Sequence, residues 1–171
     1  IHQSMMTNVI PFNFALSDVT GNPVQIEKPW YRNDTGGFMT KSMDNKNCVM
    51  TKTVDDIWFQ IGCPMIRMAK LDVEGFEPLV IKGGKRFFSE GVTDFVIVEV
   101  SSWTKDRCGF HYSTIYENFS QAGFRYAYVF EDDKGLLQIP DYGSGNGKPL
   151  PYDHNILFSR NLLNWANPAS A

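Results

Sequence analysis

Three charged side chains at alternate positions, Lys70, Asp72 and Glu74, carry the clearest chemical signal in the sequence. In an extended strand they project from one face, because side chains alternate with a period of two. A strand ending near Val73 places both carboxylates at its carboxyl end, where open parallel sheets bind ligands. Two carboxylates in one crevice can share a proton, separate their pKa values or hold a cation together. On geometry alone, it is an equally good interpretation that Asp72 and Glu74 only cap the helix that follows.

A further carboxylate, Glu99, ends the apolar run of residues 95–98 (FVIV). Such a continuous run is typical of a strand that is covered on both faces. An unpartnered carboxylate in that setting is costly to bury. A buried salt bridge would explain Glu99, but a position at the carboxyl end of a second strand explains it more simply. We therefore expect Glu99 to face a ligand together with Asp72 and Glu74.

The elements that must position these residues alternate between strands and helices. Thr53 is predicted to cap a helix whose first turn holds Asp55 and Asp56 and which ends by Gly62 or Pro64. The other predicted helices are residues 78–88 and 113–122. The predicted strands are residues 9–16, 24–27, 47–52, 65–73, 95–100, 124–130 and 155–159. This alternation predicts an α/β sheet with parallel strands.

Composition limits the classes of function. The chain has 171 residues, enough for one domain, and 43% of them are hydrophobic, which argues against disorder. Its formal net charge of −3 leaves no excess of positive charge for a nucleic-acid backbone, so no nucleic-acid partner is expected. No apolar run reaches the roughly 20 residues that cross a bilayer. The three cysteines lack the spacing of a zinc site or a disulfide framework.

A loop beyond Glu99 holds His111 among the aromatic residues Trp103, Phe110 and Tyr112. A histidine there can act as a base, and aromatic rings can stack on a sugar. The simpler interpretation is a solvent-exposed histidine and ordinary packing of the rings.

Five segments, taken in chain order, resemble the FkbM-type methyltransferases. They are NFALSD (13–18), TVDDI (53–57), KLDVEGFE (70–77), VIVEV (96–100) and NILF (155–158). The segment at 70–77 is the most specific, and the others gain weight from their order. The resemblance spans about residues 8–160 and leaves residues 161–171 as a tail.

This resemblance implies a class I enzyme that uses S-adenosylmethionine as its cofactor and methylates a hydroxyl group of a sugar or other small molecule. It implies that Asp72 lies nearest the transferring methyl group and also contacts the cofactor. Glu74 and Glu99 would accept the proton or bind the substrate hydroxyl. Backbone groups of Ala15 and Leu16 would meet the adenine ring. No metal site is predicted, and magnesium held by Asp72 and Glu99 is a lesser possibility because a third ligand is lacking.

The resemblance also predicts a partial Rossmann-like class I methyltransferase sheet that lacks its first two strands. The family's strand order is 3-2-1-4-5-7-6, in which residues 9–16 supply strand 3 and residues 66–73 supply strand 4. Strands 1 and 2, with the glycine-rich loop, would precede residue 1, so residues 1–171 are interpreted as a single, N-terminally truncated domain. Residues 66–73 are then expected at a sheet edge, and residues 9–16 without a neighbour from the main sheet. The glycine-rich segment 143–147 (GSGNG) is no substitute, because no strand precedes it and no helix follows.

Two functions remain open at this point. With the missing half supplied, the domain is expected to be a methyltransferase, and the isolated chain is expected to be inactive. The alternative is a non-catalytic remnant or binding module that keeps half the fold.

Overall fold

The computed structural model describes residues 8–27, 38–41, 48–143, 149–164 and 167–168. The strands in these ranges are β1 (Ala15–Leu16), β2 (Pro23–Glu27), β3 (Phe38–Lys41), β4 (Cys48–Lys52), β5 (Ile66–Leu71), β6 (Thr93–Val100), β7 (Tyr126–Glu131), β8 (Gly135–Ile139), β9 (His154–Ser159) and β10 (Asn167–Pro168). The helices are α1 (Val54–Gln60), α2 (Glu77–Gly83), α3 (Lys85–Ser89), α4 (Thr104–Cys108) and α5 (Ser113–Gln121). None of these helices combines the length and apolarity that crossing a bilayer requires. Of the glycine-rich segment 143–147, residues 144–147 lie outside the described ranges.

The main sheet contains six strands in the order β10-β8-β7-β9-β6-β5. β5 and β6 run parallel, whereas β9 is antiparallel to both β6 and β7. The fold is therefore mixed α/β, and the expectation of parallel strands is wrong for β9. β7 and β8 form an antiparallel hairpin, a connection too short for parallel strands. The chain then returns through β9, which enters the sheet between β6 and β7.

The edge of the main sheet is formed by β5 within the described residues, as expected. β1 belongs to a second sheet, ordered β1-β4-β2-β3, and pairs in parallel with β4. The expected separation of the opening strand from the main sheet is thus confirmed for the described residues. The strand itself is shorter than predicted, because Val9, Ile10 and Phe12 are exposed and only Ala15–Leu16 finds a neighbour.

The helix caps explain where α1 begins and why the next predicted helix is divided. The Thr53 hydroxyl accepts a hydrogen bond from the Asp56 N–H at 3.0 Å, which confirms the predicted N-cap. The helix predicted at residues 78–88 is broken near Gly84 into α2 and α3. The carboxylate of Asp55 accepts from the N–H groups of Arg86 and Phe87. These two N–H groups at the start of α3 are satisfied by α1, so α3 starts as a helix of its own.

The hydrophobic core lies between the main sheet and the helices α2, α3 and α5. Val96, Val98 and Val100 point from β6 into this core and are fully buried. On the opposite face of the sheet, Phe95 and Ile97 are only half-buried against a smaller cluster. The expectation that both faces of this strand are fully covered is therefore met on one face. The carboxyl ends of β5 and β6 emerge together at one edge of this layered structure.

Candidate functional site

The chain after β5 folds into a tight turn that carries Glu74. β5 ends at Leu71, and Glu74 and Gly75 both have left-handed backbones, with φ of 57° and 92°. Position 75 requires glycine, because a Cβ there would lie 2.9 Å from Cγ of Arg107. Glu74 accepts a conformation that residues with side chains rarely adopt, and such strain is concentrated at functional sites. Glu74 thus reaches its position through the turn and not along the strand face that the sequence suggested.

Glu77, the first residue of α2, holds this turn in place. Its side chain is fully buried, and Oε1 accepts hydrogen bonds from the N–H of Val73 at 3.1 Å and of Gly75 at 3.3 Å. Oε2 is buried and has no hydrogen-bond partner among the residues that the structure describes. Burial raises the pKa of Glu77, against the opposing effect of these backbone N–H groups. Sequence reasoning missed Glu77, although an acidic residue in a helix's first turn directly after a glycine turn was a usable signal.

An open cleft of about 250 Å³ lies at the carboxyl ends of β5 and β6. Its lining residues are Glu74, Glu99, Ser101, Trp103 and Asp153. Glu74 arrives from the turn after β5, and Glu99 from the last residues of β6. Ligands of open α/β sheets bind at this end of the strands. Two of the three carboxylates predicted to be catalytic therefore share one cleft.

The third, Asp72, lies beside Glu99. Burial raises the pKa of Glu99 to about 7, and the negative charge of Asp72 and a hydrogen bond between the two side chains act in the same direction. The charges of Glu74 and Glu77 add to this effect. Asp72 is exposed, and its Oδ2 lies 2.5 Å from Nζ of Lys70, so these two side chains share a face as predicted. The predicted carboxylates thus form one electrostatically coupled group.

Asp153 is a site residue that the sequence analysis did not find. It directly precedes β9, and its backbone is left-handed, with φ of 58°. Its N–H donates to the carbonyl of Val100 at 2.6 Å. Its Oδ1 accepts from the N–H and the hydroxyl of Ser102, at 2.8 and 2.9 Å. Asp153 therefore fastens the loop after β6 to the start of β9, and an isolated aspartate in a loop gave no sequence signal for this role.

Neither of the two residues predicted to meet an adenine ring lines the acidic cleft. Ala15 is buried in β1. Leu16 lines an apolar hollow of about 270 Å³, whose other walls include Ala69 and Lys70 of β5 and Trp58 of α1. Lys70 links the two regions, because it lines the hollow and also pairs with Asp72 of the carboxylate group.

Among the residues that the structure describes, no three acidic, histidine or cysteine side chains are grouped so that they could hold a metal ion.

The family model described as the methyltransferase FkbM domain matches residues 9–126. This range includes the whole turn that carries Glu74, as well as β6 with Glu99. No curated protein and no solved structure matches the chain. The match covers more than half of the 171 residues, so the chain belongs to the FkbM methyltransferase domain family.

Proposed function

We propose that this domain transfers a methyl group from S-adenosylmethionine to a hydroxyl group of a small-molecule or glycan acceptor. Family membership supports methyl transfer in general. The observation that carries the finer proposal is Glu99, a carboxyl group in an open cleft whose pKa is raised to about 7. A group with a pKa near the working pH is well suited to take a proton from a reacting hydroxyl.

Each carboxylate has a separate role in this proposal. Glu99 accepts the proton of the acceptor hydroxyl as the oxygen is methylated. Asp72 raises the proton affinity of Glu99 through its charge and the hydrogen bond between them, and it would be the carboxylate nearest the methyl group of a bound cofactor. Glu74, which lines the same cleft, binds and orients the acceptor hydroxyl. Holding the reacting groups in line accounts for a large part of the catalysis in such a transfer.

The residues present fit the proposed cofactor. When bound, S-adenosylmethionine supplies a methyl group on a positively charged sulfonium. Asp72, Glu74 and Glu99 gather negative charge at one edge of the sheet, which favours a cation there. Contact of the adenine ring with backbone groups of Ala15 and Leu16, which form β1, stays part of this proposal.

The strand order supports a partial class I methyltransferase sheet. β5, β6, β9 and β7 are neighbours in that order, which corresponds to 4-5-7-6 of the family order. Strands 1 and 2 of that order would lie between β1 and β5. The apolar hollow is bounded by Leu16 of β1 on one side and by Ile66, Ala69 and Leu71 of β5 on the other. We infer that a segment N-terminal to residue 1 completes the sheet in this gap, and that the isolated chain is inactive.

Calorimetric titration with S-adenosylmethionine tests this proposal. The 171-residue chain should give no binding heat, and the natural protein that includes the preceding segment should bind one equivalent. In that longer protein, Glu99→Gln should lower turnover by about 10²–10⁴-fold, the usual contribution of a general base. The matched control Asp132→Asn, an exposed acidic residue in the β7–β8 turn, should leave turnover unchanged. Full turnover with Glu99→Gln would contradict the proposed role.

The second candidate function is a non-catalytic module that keeps half the fold. The unpaired edge of β5 in the described part of the chain favours it, because such an edge can pair with a strand from another protein. This candidate gains support if the natural protein lacks a preceding strand and glycine-rich turn and also binds no S-adenosylmethionine. A nucleic-acid partner is not proposed, since the net charge of −3 offers no electrostatic attraction to phosphates.

A further inference from the structure

Three aromatic side chains, those of His111, Tyr112 and Tyr152, contact one another as tilted rings, with interplanar angles of 34° and 40°. The ring centroids of His111 and Tyr112 are 4.3 Å apart, and those of Tyr112 and Tyr152 are 4.9 Å apart. Tyr152 is 47% exposed, and Tyr112 is half-buried. Together with Ser102 and Lys105 the three rings line an open hollow of about 390 Å³.

The aromatic hollow and the acidic cleft share one wall. Ser102 lines the hollow and donates two hydrogen bonds to the carboxylate of Asp153, which lines the cleft. Tyr152 and Asp153 are adjacent in sequence. Tyr152 lines the hollow, and Asp153 lines the cleft. A ligand that rests on Tyr152 is therefore next to Asp153, with Glu99 in the same cleft beyond it.

Backbone strain marks this wall as a built feature. Four residues other than glycine have left-handed backbones among the described residues, and Glu74 and Asp153 are two of them. Both line the same cleft. Strained conformations persist only where the surroundings enforce them, and they are concentrated at ligand sites. For Asp153 the enforcing contacts are its hydrogen bonds to Val100 and Ser102.

We propose that the aromatic hollow is the acceptor subsite and that it binds a pyranose ring. This inference rests on the proposed methyl transfer and adds the residues that select the acceptor. The negative face of a tyrosine ring attracts the C–H groups on one face of a sugar. The sugar's hydroxyl groups are donors, and the carboxylates of Asp153 and Glu99 are acceptors without competing protons of their own when ionised. A sugar lying on the exposed ring of Tyr152 is thus next to Asp153, which lines the same cleft as Glu99.

Binding of simple saccharides to the protein tests this subsite without any methyl transfer. The probes are the methyl α-pyranosides of glucose, galactose, mannose and rhamnose, titrated while the NMR signals of the tyrosine and histidine rings are recorded. At least one should shift the signals of Tyr152, Tyr112 and His111 saturably, with a Kd on the order of 1 mM, as expected for so small a ligand. Glycerol, which has hydroxyl groups but no ring, should not shift these signals.

Variants separate recognition from folding. Tyr152→Ala should weaken binding of that pyranoside about tenfold, the loss expected when one stacking ring is removed, whereas Tyr152→Phe should keep it. The control Phe130→Ala removes an exposed ring on β7 and should bind like the wild type. The subsite is refuted if no pyranoside shifts these signals, if glycerol shifts them equally, or if Tyr152→Ala binds unchanged. If the natural protein that includes the preceding segment binds the saccharide but not S-adenosylmethionine, the methyl transfer alone is overturned.

Discussion

Replacing Glu99 by glutamine should stabilise the protein at alkaline pH while removing its proposed base. The pKa of Glu99 is raised from 4.5 to about 7, first by burial and then by Asp72. At 1.36 kcal/mol per pKa unit, this shift corresponds to about 3 kcal/mol. Glu99 is only partly buried, and solvent screening reduces the figure to about 1–2 kcal/mol. The amide of glutamine can donate to Asp72 as the protonated acid does, without acquiring a charge.

The direction of the pH dependence follows from proton binding. Between pH 4.5 and about 7 the folded state holds the Glu99 proton and the unfolded state has released it. Stability therefore falls as pH rises through this window, and it stays lower above pH 7. Glu99→Gln removes this contribution. Its free energy of unfolding should match the wild type near the lower end of the window and exceed it by about 1–2 kcal/mol at its upper end and above.

Urea unfolding followed by circular dichroism at about pH 5 and pH 8 measures this difference. The matched control is Glu117→Gln, which makes the same chemical change at an exposed position on α5. The control should show no stability gain that grows with pH. A Glu99→Gln variant that is equally or less stable than the wild type at pH 8 would refute the reasoning. The ionised side chain of Glu99 would then not destabilise the folded protein.

Three further substitutions test the elements that hold the site. Glu77→Leu should lower the free energy of unfolding by about 2–4 kcal/mol, because two backbone N–H groups lose their acceptor, and Glu77→Gln should lose less; urea unfolding measures both. Gly83→Ala should lower the free energy of unfolding by about 1–3 kcal/mol, because its Cβ would overlap the carbonyl of Ser17. An unchanged Tm in thermal unfolding would contradict this prediction. Arg160→Ala should lower the free energy of unfolding by about 2–4 kcal/mol, because its guanidinium donates to three backbone carbonyls. Urea unfolding should show a larger loss for this variant than for Arg160→Lys.

The strands near the site were predictable because their signals are local. The apolar run that becomes β6 and the cap at Thr53 each depend on a few neighbouring residues. The break between α2 and α3 was not predictable, since Asp55 satisfies the first N–H groups of α3 from 31 and 32 positions away in the chain. β8 was also missed, because residues 135–139 (GLLQI) form a strand by pairing with β7 and not through their own pattern.

The candidate site shows the same division. Asp72, Glu74 and Glu99 could be selected because acidic residues at the ends of predicted strands are unusual in sequence. Their electrostatic coupling required the register of β5 against β6, which the sequence does not encode locally. Asp153 depends on a contact with Ser102 that spans 51 positions, and its left-handed backbone has no signal in sequence. The residues that fasten the site together were therefore the ones that only the structure could reveal.

The measurement that tests the central claim most directly is an NMR titration of the isotope-labelled side-chain carboxyl of Glu99. The claim is that burial and the neighbouring Asp72 raise the pKa of Glu99 at the carboxyl ends of β5 and β6. The signal should titrate with a pKa near 7, and Asp72→Asn should lower that value because the neighbouring negative charge is removed. A Glu99 pKa close to 4.5 that Asp72→Asn leaves unchanged would contradict the claim.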